Sequence, residues 1–373
     1  MVDSKKLEFF KIPHFVVFGS RAIEKIPEVL RKVGLLPDSR VVLLTGPTTT
    51  YNIAMNLVYP KLEEVTTHVE VVKVVREGDM VRFLLELRGF VKRFEPSIIV
   101  AVGGGSVIDC AKVIAHWLGI PYITVPTSAS HDGIASPAIS YLLRKKLSEC
   151  IGGDYSILDP PIAVVADIDV ISRAPYRLLA AGCGDLIAKL TAVRDWKLAH
   201  RLKGEDYSEY AASLAISSAK LVMHKADYIP KLSEDSVRTV VKALIGCGVA
   251  MSIAGSSRPC SGAEHLFSHA LDYLSEKYGF KPAHHGEQVG VGTILMAYLH
   301  GMRWWLIKKF LRKVKAPTTA EELGIEPKYL VMALTIAHKI RPERYTILGD
   351  SGISEKAAWK LIRVTGVVGE SSD

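Results

Sequence analysis

A chain of 373 residues is too long for one ordinary hydrophobic core and suits two domains. With 49% apolar and 23% charged residues and no low-complexity segment, it is a globular protein, not a disordered or fibrous one. The 47 basic residues outnumber the 39 acidic ones by 8, which suits nucleic acid, a membrane surface or an anionic substrate; no zinc finger or RNP motif supports the first.

No apolar run reaches the ~18 residues needed to span a bilayer. The opening Met-Val-Asp-Ser-Lys-Lys lacks the apolar stretch of a signal peptide, so the expected location is the cytoplasm. Five cysteines (Cys110, Cys150, Cys183, Cys247, Cys260) with no C-x-x-C pair argue for buried free thiols. Asn52, Asn56 and Gln288 are the only amide residues, a scarcity that hints at a hyperthermophilic source.

In chain order, β-branched apolar runs occur at His14–Phe18, Arg40–Thr45, His68–Val75, Ser97–Val102 and Tyr122–Val125. Segments of helical period separate them: Arg21–Val33, Tyr51–Glu64, Met80–Phe94 and Val107–Leu118. This alternation predicts a mostly parallel sheet covered by helices. Ile139–Leu143, followed by Arg144-Lys145-Lys146, reads as an added hairpin strand, and Ile162–Ala166 as the last strand after Pro160-Pro161. Beyond about residue 170 long amphipathic segments follow one another, at Arg177–Leu202, Tyr207–Ala226, Asp235–Ile253 and Gly262–Tyr278. They predict a second, all-helical domain, with 1–170 as the α/β part and 171–373 as the helical part. Arg303–Lys315 places Trp304, Ile307, Leu311 and Val314 on one stripe flanked by bases. It could lie on an anionic membrane; core packing with a solvated basic face is the plainer account.

Three places carry chemistry. Ser97-Ile-Ile-Val-Ala-Val-Gly103-Gly104-Gly105-Ser106 is a buried strand running into glycines and a helix start, where backbone comes close to a ligand and free N–H groups attract phosphate. Its spacing is neither G-x-G-x-x-G nor a P-loop. A second turn, Gly46-Pro47-Thr48-Thr49-Thr50, offers hydroxyls and no acid for a ribose, so NAD and NADP both remain open. Third, four of the twelve histidines fall within 21 residues, as Glu264-His265-Leu-Phe-Ser-His269 and His284-His285. His265 and His269, four apart, share a helix face. Imidazole suits zinc, whose catalytic sites use three protein ligands and one open position. Asp185, after Ala181-Gly-Cys-Gly, could be the third ligand or an N-cap of a glycine-rich helix start.

GGGSVID, PTSASHDG, GCGDLIAK, SGAEHLFSHALD and HHGEQVGVG occur in that order. Together, over nearly the whole chain, they resemble the superfamily of glycerol dehydrogenase, dehydroquinate synthase and iron-dependent alcohol dehydrogenase. The resemblance implies a dehydroquinate synthase-like fold and a zinc site at Asp185, His265 and His285. It implies that Gly105, Ser106, Val107, Ile108 and Asp109 hold the cofactor pyrophosphate, and that Thr127, Ser128, Ala129, Ser130 and Ser136 line the nicotinamide side. Asp132 and His269 would contact substrate, with Asp185 doing so beside the metal and Asp185 and His269 taking part in catalysis. The implied reaction is the reversible NAD(P)H-dependent reduction of dihydroxyacetone phosphate to sn-glycerol 1-phosphate, for archaeal phospholipid synthesis. An NAD-linked glycerol or polyol dehydrogenase would share the same motifs. The partners expected are a small-molecule substrate and further copies of the chain, with no nucleic acid and no stable membrane insertion. For the substrate phosphate, Gly255-Ser256-Ser257-Arg258 offers two hydroxyls and a guanidinium, which makes Arg258 or its neighbours the expected anchor.

Overall fold

A computed structural model describes residues 10–75 and 79–369; the opening Met1–Lys6 segment read above lies outside them. Six strands form one sheet: β1 (Phe15–Gly19), β2 (Arg40–Thr45), β3 (His68–Lys73), β4 (Ile98–Gly103), β5 (Tyr122–Pro126) and β6 (Ala163–Asp167). Their order is β1-β6-β5-β4-β2-β3, and every pairing is parallel. All residues of β4 and β5 are buried, as helices on both faces of a parallel sheet require, whereas edge strand β3 is half exposed. Because side chains alternate along a strand, Val41 and Leu43 enter one core and Val42 and Leu44 the other. The second core continues without a break into Leu244, Leu266 and Leu334 of the later helices.

Met80–Phe94 is helical over the predicted span, its N-terminus capped by Asp79, which accepts from the amides of Val81 and Arg82. Tyr51–Glu64 is interrupted by a π-helical turn at Ala54–Val58, just ahead of Pro60, which has no N–H to continue the ladder. The expected hairpin strand at Ile139–Leu143 does not form. Tyr141–Cys150 is a helix instead, because Leu143 and Leu147, four apart, are both buried and the Arg-Lys-Lys run lies within the helix.

After β6 the described residues are helical. Arg177–Leu202 is two helices, Tyr176–Ile187 and Lys189–Lys203, which meet at Ala188. The Glu234–Ala254 helix is long and apolar enough to cross a bilayer by length and composition, although Arg238 and Lys242 interrupt its apolar run, and 67% of its apolar window is buried in the fold. In Trp304–Lys313, Ile307, Phe310 and Leu311 are buried while Trp305 and Leu306 are exposed, so the basic helix is seated on the core. Four of the cysteines are buried thiols; Cys150 is the exposed exception.

Candidate active site

Gly103 closes β4 and Gly104 caps the helix Gly105–Leu118, so the helix begins at the carboxyl ends of the central strands, where ligands of such sheets bind. A Cβ on Gly103 would sit 2.8 Å from the Val107 side chain, and one on Gly105 would meet the His131 ring at 2.5 Å. The N–H groups of Val107 and Ile108 already bond to the Gly104 carbonyl, and both side chains are buried. Asp109 is also turned to structure: it accepts from the Ser140 amide at 3.0 Å and lies 3.5 Å from buried Lys112. Within the implied pyrophosphate segment, Gly105, Ser106 and Asp109 line the adjoining cavity, whereas Val107 and Ile108 do not.

That cavity, about 290 Å³, is lined by Gly105, Ser106, His131, Asp132, Ser136, His265, His269 and His285, among others. Thr127, Ser128 and Ala129 follow β5 and are nearly buried, with the Thr127 amide bonded to the Gly103 carbonyl; Ser130 is half-buried in the same turn. The loop after β5 therefore runs beside the glycine turn.

On the helical side, Asp185 is no N-cap. It lies near the end of the Tyr176–Ile187 helix, fully buried. The glycines before it serve close packing: a Cβ at Gly182 would strike the Ala129 carbonyl oxygen, and one at Gly184 the Gly286 carbonyl oxygen. The helix thereby rests against both the β5 loop and the helix that opens with His285. His284 is the N-cap of that helix, in a capping box with Glu287, which separates its role from that of His285.

Asp185, His265 and His285 bring one donor atom each within 4.8 Å of one another. His265 Nε2 stands 3.4 Å from Asp185 Oδ1. Two ligands on a tetrahedral zinc with bonds of ~2.0–2.2 Å lie ~3.3–3.5 Å apart, so this pair has a fitting separation. Glu264 Oε1 holds His265 Nδ1 at 2.8 Å, which fixes the ring and leaves Nε2 as the donor atom. Ser268 Oγ lies 3.4 Å from His285 Nδ1 in the same way. Burial pushes the His285 imidazole down to about 3, and His269 well below its ordinary range. Burial opposes charge on His265 too, but bonds to Asp185 and Glu264 outweigh it and raise that group.

His269 is not grouped with Asp185. Its ring stacks on Tyr141 at 4.9 Å and on His285 at 5.8 Å, and its buried Nδ1 has no hydrogen-bond partner among the described residues. Asp132 reaches the cluster twice: its amide donates to Asp185 Oδ2 at 2.9 Å, and its carboxylate meets the Lys189 ammonium at 2.8 Å.

Lys189, Glu264, His131, Tyr141 and Arg341 border the site without having been singled out from sequence. Lys189 was legible, since it stands four residues after Asp185 on a continuing helical path; the others depend on tertiary packing. Arg258 is the reverse case. It is 2% exposed, clasped by both oxygens of Glu205 and bonded to the Tyr345 carbonyl at 2.8 Å, so it is no anchor for substrate phosphate.

The chain matches the family model described as iron-containing alcohol dehydrogenase over residues 17–175. It is 48% identical over 366 residues to the glycerol-1-phosphate dehydrogenase, NAD(P)+, of Thermococcus kodakarensis, covering 98% of this chain and 99% of that one. The enzyme of the same name from Pyrococcus horikoshii is 50% identical over 363 residues, covering 97% and 100%. Among solved structures, the glycerol dehydrogenase of Schizosaccharomyces pombe superposes with a TM-score of 0.73 at 22% identity, over 97% of this chain and 91% of that one, a likeness of fold.

Proposed function

The chain belongs to the glycerol-1-phosphate dehydrogenases of the iron-containing alcohol dehydrogenase family, and from this we propose that it reduces dihydroxyacetone phosphate reversibly to sn-glycerol 1-phosphate with NAD(P)H. It is an NAD(P)-dependent oxidoreductase acting on a small molecule. The observation that carries the site assignment is that His265 and His285, which line the cavity onto which the glycine turn opens, converge with buried Asp185 behind them.

Asp185, His265 and His285 would hold zinc, with Glu264 setting the His265 ring. A zinc ion there would supply Lewis-acid polarisation of the ketone. Hydride would come from the nicotinamide, which the protein has only to position. Gly105 and Ser106 would receive the pyrophosphate at the helix start, with Val107, Ile108 and Asp109 shaping that turn from beneath. Thr127, Ser128, Ala129, Ser130 and Ser136 would border the nicotinamide. Asp132 would contact substrate from its place on Lys189, as would His269, and His269 or a water chain would deliver the proton to the substrate oxygen. Residues 1–170 then form the dinucleotide-binding part and 171–373 the metal- and substrate-binding part, with Asp132 reaching across. We place the enzyme in the cytoplasm, as a homo-oligomer, at the start of archaeal phospholipid synthesis.

The test is absorbance of reduced nicotinamide with dihydroxyacetone phosphate and with dihydroxyacetone, before and after chelation. Rapid, chelator-sensitive turnover of the phosphate ester is expected. Faster turnover of the unphosphorylated ketone would make the chain a polyol dehydrogenase, and chelator-insensitive turnover would remove the metal.

A further inference from the structure

With Arg258 engaged elsewhere, a dianionic substrate needs another counter-charge, and two guanidiniums enter the histidine-lined cavity from distant parts of the chain. Arg144 comes from the Tyr141–Cys150 helix, and Arg341 is the residue that ends the Pro327–Ile340 helix. We propose that Arg144 and Arg341 form the subsite that binds the substrate's phosphate and so sets the preference for a phosphorylated over a free triose. This rests on the function proposed above.

The two arginines are held in place and keep donors in hand. Arg144 gives Nη1 to Ser156 Oγ at 2.9 Å, and Arg341 gives Nε to Glu343 at 2.9 Å. Among the described residues, neither Nη2 of Arg144 nor the two terminal nitrogens of Arg341 has a hydrogen-bond partner. Parallel terminal donors of this kind match the oxygens of a phosphate. The Arg341 side chain is only 12% exposed, so a bond it makes is sheltered from water.

Other cations near the cavity are committed. Arg344 donates to the Ser261 carbonyl and Ser257 Oγ, Lys112 to the Ala138 carbonyl, and Lys189 to Asp185 and Asp132. The acids of the wall are engaged as well: Asp109 by Ser140, Asp132 by Lys189, Asp272 by Gln288. Arg144 and Arg341 lie close enough that, after burial, the charge of Arg144 is the largest influence lowering Arg341; an anion between them relieves that repulsion.

Tyr141 fixes the subsite to the reacting centre. Its hydroxyl donates to the Ile340 carbonyl at 3.3 Å, one residue before Arg341, while its ring stacks on His269. Phosphate at the arginines thus has a set position relative to the histidines, as orientation of a small ketone requires.

The experiment compares the unaltered enzyme with Arg144→Ala, Arg341→Ala and Arg341→Lys. Arg341→Ala is expected to lower the preference for dihydroxyacetone phosphate over dihydroxyacetone, as a ratio of kcat/KM values, by about 10- to 100-fold, chiefly through KM. Arg144→Ala moves it in the same direction, and Arg341→Lys, keeping charge but not the fork, falls between. Inorganic phosphate should raise the thermal midpoint of the unaltered protein and lose that effect in Arg341→Ala. A selectivity ratio within threefold of the unaltered enzyme overturns the proposal, as does undiminished protection by phosphate. Failure of the unaltered chain to use dihydroxyacetone phosphate would overturn the proposed reaction instead, and the phosphate-protection arm would still read the subsite.

Discussion

Lys189 anchors Asp185: the buried ammonium lies 2.8 Å from Asp185 Oδ1, and its other contact, Asp132 Oδ2, is also at 2.8 Å. One helical turn separates Lys189 from Asp185, while Asp132 arrives from the loop after β5. The lysine thus joins the two halves of the chain at the site. Burial alone would disfavour the charges of Asp185 and Lys189, and they persist because each compensates the other.

Replacement of Lys189 by methionine leaves buried Asp185 and partly buried Asp132 without that partner. A loss of about 3–5 kcal/mol of stability is expected in the metal-free protein, read by denaturant unfolding. Added zinc should recover part of the loss. Stability equal to that of the unaltered chain would show that the pair contributes nothing net.

Glu264 bonds His265 Nδ1, the Gly262 amide and the Thr191 hydroxyl at once, all of it buried. Glu264→Gln keeps the shape but weakens the hold on the ring. Zinc affinity, measured by competition with a chromogenic chelator, should fall ~10- to 100-fold. An unchanged affinity would mean that helix packing alone orients His265.

Gly184 and Gly286 let the Asp185 and His285 helices touch backbone to backbone. Gly286→Ala puts a methyl group onto the Ala181 carbonyl, which no rotamer relieves. Overpacking of this kind costs ~1–3 kcal/mol or more, and the helices can separate only by moving His285 away from Asp185. Lower thermal stability together with weaker zinc retention is the expected result; loss of one without the other would count against the coupling.

Arg258→Met tests the opposite assignment. Its contacts with Glu205 and Tyr345 are structural, so stability should fall by about 1–3 kcal/mol, less than for a fully buried pair because Glu205 is partly exposed. The ratio of activities on the phosphorylated and free trioses should not move. A selective rise in KM for the phosphate ester would return Arg258 to the substrate site.

How far the fold could be read in advance depended on whether the signal was local. β4 and the Gly105–Leu118 helix were legible because a buried parallel strand is a run of apolar residues, and here three glycines mark where it ends. Tyr141–Cys150 was misread because Ile139–Leu143 is apolar enough for a strand, and only the joint burial of Leu143 and Leu147 reveals the helical period. The capping reading of Asp185 stayed open for a related reason: glycines beside an aspartate look the same whether they start a helix or let two helices touch.

Local spacing by itself therefore determined the parallel sheet, the glycine turn at the end of β4 and the pairing of His265 with His269 on one face. Tertiary structure decided what those residues meet. It brought Asp185 and His285 to His265 across three helices, and seated His269 against Tyr141 instead of in that group. It also closed Arg258 onto Glu205 while leaving Arg144 and Arg341 in the cavity wall. Periodicity along a chain records which side of an element is buried; which charge lies opposite is set by elements far away in sequence.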